Sequence, residues 1–237
     1  MAQYGRRVLI VDFDPQGAAT VGLGVNANTV ENTIYTALFD ISVDPHDVVQ
    51  HTAFENIDVI PANIDLSAAE VQLVTEVGRE QILNSVLRKL KSEYDLIIVD
   101  CQPSLGLLTV NALAAADGVI IPVAAEFFAL RGVALLMQSI EKVQSRINPA
   151  LEVDGVLITM YTKTLHCEEV CQRVTRRSAK RCSTRSSPAP SNCPIPRLPP
   201  RPWWSMPLST RHQRNTVRWH VSSLLAASWR NDCFDKR

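Results

Sequence analysis

Two short apolar runs, each ending in an aspartate, limit what this chain can fold into. Residues 8–11 lead into Asp12, and residues 96–99 lead into Asp100. A strand that is apolar at every position is typical of a parallel sheet covered on both faces. Stretches with helical spacing lie between such runs, as at residues 80–91. Strands that alternate with helices predict an α/β fold, with a mostly parallel sheet and helices on both faces.

The ends of those two runs are candidate ligand sites, because ligands bind beyond the carboxyl ends of parallel strands. Asp12 and Asp14 follow the first run, and Asp100 follows the second. Carboxylates at buried strand ends need a cation or hydrogen-bond donors, and Mg²⁺ is the usual cation in phosphate chemistry. Taken alone, Asp100 is more simply interpreted as the N-cap of the next helix. The loop of residues 12–17 could equally be a plain turn with solvated acids.

The composition of the chain changes near residue 175. The formal net charge of the 237 residues is zero, yet residues 1–174 hold 11 Lys and Arg against 22 Asp and Glu, a net of −11. Residues 175–237 hold 13 against 2, a net of +11. All nine glycines lie before the break and all four tryptophans after it. We therefore predict a folded domain over residues 1–174 and a disordered basic tail over residues 175–237.

Three interpretations of the tail compete. Its charge and tryptophans would suit a nucleic-acid-binding arm. Its Pro- and Ser-rich stretches would suit a disordered linker. The irregular mixture of Arg, Ser, Pro, Trp and Cys, with no helical or strand period, also resembles out-of-frame translation of a GC-rich gene. We favour the third interpretation, of which disorder is the structural consequence.

The cysteine spacing and the lengths of the apolar runs indicate the redox state of the thiols and the location of the protein. The six cysteines form no disulfide framework, and His166, Cys167 and Cys171 match no standard zinc spacing. No apolar run approaches the ~20 residues that span a bilayer. The apolar run after the N-terminus is too short for the core of a signal peptide. We therefore expect a cytoplasmic protein with free thiols and no membrane association.

Several motifs occur in order along residues 3–174. The first is Asp-x-Asp-Pro-Gln-Gly after a basic pair and a strand, at residues 6–17, and the second is the strand and loop of residues 94–106. Shorter matches lie at residues 60–62, 111–113 and 126–132. Together they resemble the ParA/Soj family of chromosome- and plasmid-partitioning ATPases, a deviant Walker-A class of P-loop NTPase.

The resemblance implies roles for the three carboxylates. Asp14 would position the attacking water and is the candidate catalytic residue. Asp12 would support a Mg²⁺ site, and Asp100 would be the Walker B carboxylate at that Mg²⁺. The cofactors implied are ATP and Mg²⁺.

The resemblance also implies nucleotide contacts and partners. Pro15, Gln16 and Gly17 would form a first switch, and Pro103 would begin a second one. The family works as an ATP-bound homodimer that binds DNA non-specifically, associates with the nucleoid and is discharged by a centromere-binding, ParB-like protein.

The chain departs from the family pattern in two places. No Gly-Lys pair occurs anywhere in it, so the phosphate-binding loop with its Lys and Thr is missing. Residues 1–5 look like the end of the helix that follows that loop. We expect the neighbours of the missing strand to be left unpaired or the sheet to be rearranged. Beyond about residue 175 no similarity remains, so the family's DNA-contacting surface is not recognisable.

The sequence therefore predicts a ParA-type partition ATPase that is inactive as a truncated chain and holds MgATP poorly. Two alternatives remain. One is a degenerate, non-enzymatic dimerisation module of the same fold, and the other is a nucleic-acid binder that uses the basic tail.

Overall fold

The computed structural model of the chain describes residues 1–27, 29–124 and 129–159, and two strands further on. The strands are β1 (Val8–Phe13), β2 (Gln50–His51), β3 (Ile57–Ile60), β4 (Leu96–Cys101), β5 (Gly118–Ala124), β6 (Glu152–Thr159), β7 (Cys182–Thr184) and β8 (Leu224–Trp229). The α-helices are α1 (Ala18–Gly22), α2 (Ile34–Phe39), α3 (Pro45–Val48), α4 (Leu66–Gln72), α5 (Ile82–Leu90), α6 (Leu107–Ala115) and α7 (Ala129–Arg146). A 3₁₀ turn, Ala2–Tyr4, precedes β1.

The described strands form one sheet in the order β2-β3-β1-β4-β8-β5-β6-β7. Strand β1 runs parallel to β3 and β4, and β6 runs parallel to β5 and β7. The pairings of β2 with β3, and of β8 with its two neighbours, are antiparallel. The prediction of an α/β fold with a mostly parallel sheet is confirmed.

The apolar runs form strands because both faces of the sheet are covered. In β1, Leu9, Val11 and Phe13 are fully buried in the main core. On the opposite face, Val8 and Leu96 pack together beneath the N-terminal turn. The alternating faces of β1 thus pack under different layers, which explains why the run has no polar position.

The helices follow their apolar patterns. In α5, Leu83, Val86, Leu87 and Leu90 face the core, while the basic residues of the last turn are exposed. Helix α6 is apolar nearly all round, and seven of its nine residues are buried between β4, α5 and α7. No helix in the described part of the chain is long and apolar enough to cross a membrane.

Strand β8 lies between β4 and β5 and is antiparallel to both. It pairs with six residues of β4, from Leu96 to Cys101, but with only Val119 and Ile120 of β5. Strands β4 and β5 are therefore each hydrogen-bonded to a segment of the C-terminal region and not to each other. Apart from β7 and β8, the region we predicted to be disordered lies outside the described residues, and its disorder stays a prediction.

Candidate functional site

The predicted carboxylates meet at one edge of the sheet. Strands β1 and β4 are parallel, and their register pairs Asp12 with Asp100 at the carboxyl ends of both strands. Asp14 follows in the next loop. All three carboxylates act electrostatically on the buried Cys101, whose pKa is raised first by burial and further by these charges. The sheet thus brings together the three acids that the motifs singled out.

Asp12 is fully buried and is held by protein donors. Its Oδ2 accepts hydrogen bonds from Thr20 Oγ1 at 2.6 Å and Thr20 N at 2.7 Å, and its Oδ1 accepts one from Asp14 N at 3.2 Å. Burial raises the pKa of Asp12, whereas the hydrogen bonds from Thr20 and Asp14 oppose that rise. The Asp12 carboxylate therefore anchors α1, and the loop between β1 and α1, to the end of β1.

Thr20 extends this anchor to a third element. Its Oγ1 donates to Asp12 and accepts a hydrogen bond from Ala62 N at 3.1 Å, just beyond β3. Gly17 lies against the same segment, because a Cβ on it would come 2.9 Å from Ala62 O. Gly17 also has φ +64°, a left-handed conformation that favours glycine. These contacts fix the loop of residues 14–17 against the β3 end.

Asp14 has a different environment. It is half-buried, its Oδ1 accepts a hydrogen bond from Gln16 N at 2.9 Å, and its carbonyl accepts one from Gly17 N at 2.9 Å. No donor among the described residues reaches its Oδ2. Pro15 is half-buried and Gln16 exposed in this turn. The half-buried Asp14 carboxylate therefore keeps one oxygen through which a water molecule or a ligand could be bound.

The loop after β4 carries Pro103, which is exposed, and leads into α6. Glu70 of α4 reaches this loop, although sequence reasoning did not single it out. Its Oε2 accepts a hydrogen bond from Leu107 N at 2.9 Å, and its Oε1 accepts bonds from Gln102 Nε2 at 3.1 Å and Leu108 N at 3.4 Å. No sequence signal marks Glu70, because its partners lie more than 30 positions away.

The acids fit Mg²⁺ unequally. Asp100 and Asp14 are half-buried at the sheet edge, where a cation with its waters could be bound. Asp12 would have to give up hydrogen bonds from Thr20 to ligate a metal directly. No cluster of three or more His, Cys, Asp or Glu residues suited to a metal occurs in the part of the chain that the structure describes. A cation at this edge would therefore depend on ligands from a bound nucleotide or water.

Comparison with known proteins gives the family. A family described as an AAA domain matches residues 1–153. An uncharacterised protein of Mycobacterium tuberculosis is 53% identical over 178 residues, which are 75% of this chain and 56% of that protein. The chromosome-partitioning ATPase Soj of Treponema pallidum is 45% identical over 176 residues, 74% of this chain and 68% of that protein. The chain therefore spans little more than half the length of the mycobacterial relative.

Among solved structures, a cobyrinic acid a,c-diamide synthase from Mycobacterium smegmatis with bound ADP and magnesium has a TM-score of 0.70. It is 40% identical, and the match covers 74% of this chain and 71% of that one. The matched family, the identity to Soj and the order of the motifs agree, and the chain belongs to the ParA/Soj family of partition ATPases.

Proposed function

We propose that this chain carries the catalytic carboxylates and the two switch loops of a ParA-type ATPase site. That site would serve the segregation of chromosomal or plasmid DNA. One observation supports this most directly: Asp12, Asp14 and Asp100 converge at the carboxyl edge of β1 and β4. They do so in a chain that is 45% identical to a relative named as a chromosome-partitioning ATPase.

The residues would divide the work. Asp14, whose Oδ2 accepts no hydrogen bond from the described residues, would hold the attacking water through a hydrogen bond. Asp100 would bind Mg²⁺, directly or through water, and Mg²⁺ would neutralise charge on the phosphates of ATP. Asp12 would support the site indirectly, by fixing the loop that carries Asp14. Pro15, Gln16 and Gly17 on one side, and Pro103 on the other, would line the nucleotide.

The 237 residues contain no Gly-Lys pair, so they supply no Walker-A Lys and no phosphate-binding amide nest of that kind. Removing one cationic contributor to phosphoryl transfer can lower turnover by ~10³-fold or more. Three carboxylates at the edge also repel the polyanionic nucleotide. We propose that these residues alone hold MgATP loosely and turn it over negligibly.

The partners follow from the same family membership. We propose a homodimer in the nucleotide-bound state, non-specific DNA as the surface it binds, and a ParB-like centromere-binding protein as its regulator. A cytoplasmic, nucleoid-associated location goes with that role. The name of the mycobacterial structure, a cobyrinic acid a,c-diamide synthase, describes the reaction of that protein, and we do not extend it to this chain. Its bound ADP and magnesium support a nucleotide and Mg²⁺ as ligands of this fold.

The test compares two proteins. One is the chain of 237 residues, and the other has a strand, a Gly-Gly-x-Gly-Lys-Thr loop and a helix added before residue 1, with a family-like end in place of residues 175–237. Only the second should hydrolyse ATP with Mg²⁺. In it, Asp14→Ala should stop hydrolysis and leave ATP binding intact, whereas the exposed control Asp47→Ala should change neither.

Three outcomes would contradict the proposal or favour an alternative to it. Mg²⁺-dependent turnover by the 237-residue chain, lost on Asp14→Ala, would show that another loop binds the phosphates. A second protein that folds and binds ATP without hydrolysing it would favour the non-enzymatic dimerisation module. DNA binding by residues 175–237, together with no binding of ATP by the second protein, would favour the basic-tailed nucleic-acid binder.

A further inference from the structure

The carboxylate of Glu70 lies at the amino end of α6. Leu107 N and Leu108 N, the first two amides of that helix, donate to it at 2.9 and 3.4 Å, and Gln102 Nε2 donates at 3.1 Å. The first amides of a helix have no partner within the helix, and the helix dipole favours an anion there. Gly106 is the N-cap of α6 and has no side chain to supply one. A carboxylate from another helix therefore caps α6.

Gly106 is matched to this contact. Its φ of −91° lies in a region that any residue adopts, so its backbone does not demand glycine. A Cβ on Gly106, however, would come 2.6 Å from Glu70 Cδ and would overlap Oε1 as well. The absence of a side chain at residue 106 is what lets the carboxylate reach Leu107 N. Glu70 and Gly106 thus form a complementary pair from two distant parts of the chain.

The contacts tether the loop of residues 102–106 at both ends. Gln102 lies two residues after Asp100, and Leu107 begins α6, so one carboxylate holds the start of the loop and its exit. From α6, Thr109 Oγ1 also donates to Ser104 O in the loop at 2.5 Å. The outer side of α4 is open, since Val71 and the nearby Val74 are 75% and 56% exposed. Glu70 thus links α4 to both ends of the loop.

We propose that Glu70 is a positioning residue that sets the conformation of the loop after Asp100 and couples that loop to α4. Its relevance to catalysis rests on the proposed function, because the loop borders the proposed nucleotide site. Glu70 touches no reacting atom in this assignment. It acts through Gln102 and the first turn of α6.

The first test uses the 237-residue chain without nucleotide. Glu70→Ala should speed hydrogen exchange of the Leu107 and Leu108 amides by about tenfold or more, relative to Val11 in β1, and should shift their proton resonances upfield. Glu70→Gln keeps one acceptor oxygen and should give an intermediate effect. Glu76→Ala is the matched control, because Glu76 is an exposed acid just beyond α4, and it should leave these amides unchanged.

The second test uses Gly106. Gly106→Ala should reproduce the exchange effect of Glu70→Ala, because the added methyl group expels the carboxylate. In the Glu70→Ala background the same change should have little further effect. Equal effects of Gly106→Ala in both backgrounds, or uniform acceleration of exchange across the protein in Glu70→Ala, would overturn the proposal.

Catalysis provides a separate readout. In the version extended with the phosphate loop, Glu70→Ala should lower kcat about tenfold or more while Glu76→Ala leaves it unchanged, since misplacing a catalytic loop by ~1 Å can cost ~10²-fold. If the extended version is inactive, the proposed function fails, whereas the exchange measurements still decide the role of Glu70. Altered exchange with unchanged kcat in Glu70→Ala would refute the catalytic part of this inference.

Discussion

The link from Asp12 through Thr20 to Ala62 can be tested by the substitution Thr20→Val, which keeps the branched shape and removes only the hydroxyl. The Thr20 hydroxyl donates to the Asp12 carboxylate at 2.6 Å and accepts from Ala62 N at 3.1 Å. All three residues are fully buried, so water cannot easily replace the lost partner. The substitution therefore removes two hydrogen bonds and leaves a buried N–H without an acceptor.

The expected cost follows from these contacts. A hydrogen bond to a charged group is worth about 1.5–3 kcal/mol, and an unsatisfied buried donor costs about 1–3 kcal/mol. Allowing for local relaxation, we expect Thr20→Val to lower the free energy of unfolding by about 3 kcal/mol. For a domain of this size that corresponds to a fall in Tm of roughly 6–12 °C.

The assay is urea or thermal unfolding followed by circular dichroism, with Thr29→Val as the matched control. The Thr29 hydroxyl is exposed and, among the described residues, donates to Asn26 O, so its loss should change stability by less than about 0.5 kcal/mol. A loss below about 1 kcal/mol for Thr20→Val, or equal losses for the two variants, would show that Thr20 does not bridge α1 and the β3 end as described.

Three further predictions concern other parts of the chain. Hydrogen bonds to Asp44 and Glu93 raise the pKa of His46, so the contribution of His46 to stability should be fully present below pH 6.5 and lost as the pH rises through the higher folded pKa. His46→Gln should therefore reduce Tm slightly at pH 6 and not at pH 9, and a Tm deficit independent of pH would refute this. Ala226→Pro should lower Tm, because Ala226 pairs with both β4 and β5 and proline has no N–H to donate to the hydrogen bonds between strands. If limited proteolysis removes residues 175–237 without loss of stability, the result would instead support a disordered tail. Any DNA binding by the chain should be weak, insensitive to sequence and steeply reduced by salt, and deletion of residues 175–237 should abolish it in a filter-binding or anisotropy titration; binding retained by the acidic remainder would contradict that assignment.

The sequence by itself determined the two strands that carry the acids and the edge at which the acids meet. The runs at residues 8–11 and 96–99 were predicted as strands and form β1 and β4. Continuous apolarity can be satisfied only where both faces of a sheet are covered, so this signal is local and strong. The apolar face of α5 was equally readable, although the helix begins two residues later than the spacing predicted. The shortest elements, such as α3 and β2, carry too few residues for a periodic signal and were not predicted.

Only the tertiary structure decided how the acids and their neighbours are held. The family resemblance implied a role for Asp12 at a Mg²⁺ site, but it did not reveal that Thr20 and Ala62 N complete a buried network around Asp12. Glu70 had no motif, and the tail segment that forms β8 had no strand period. Hydrogen bonds between distant segments depend on which elements pack side by side, and a polar residue carries no local mark of its partner. A strand pattern, by contrast, is fixed by the residues of the strand and by the burial of its two faces.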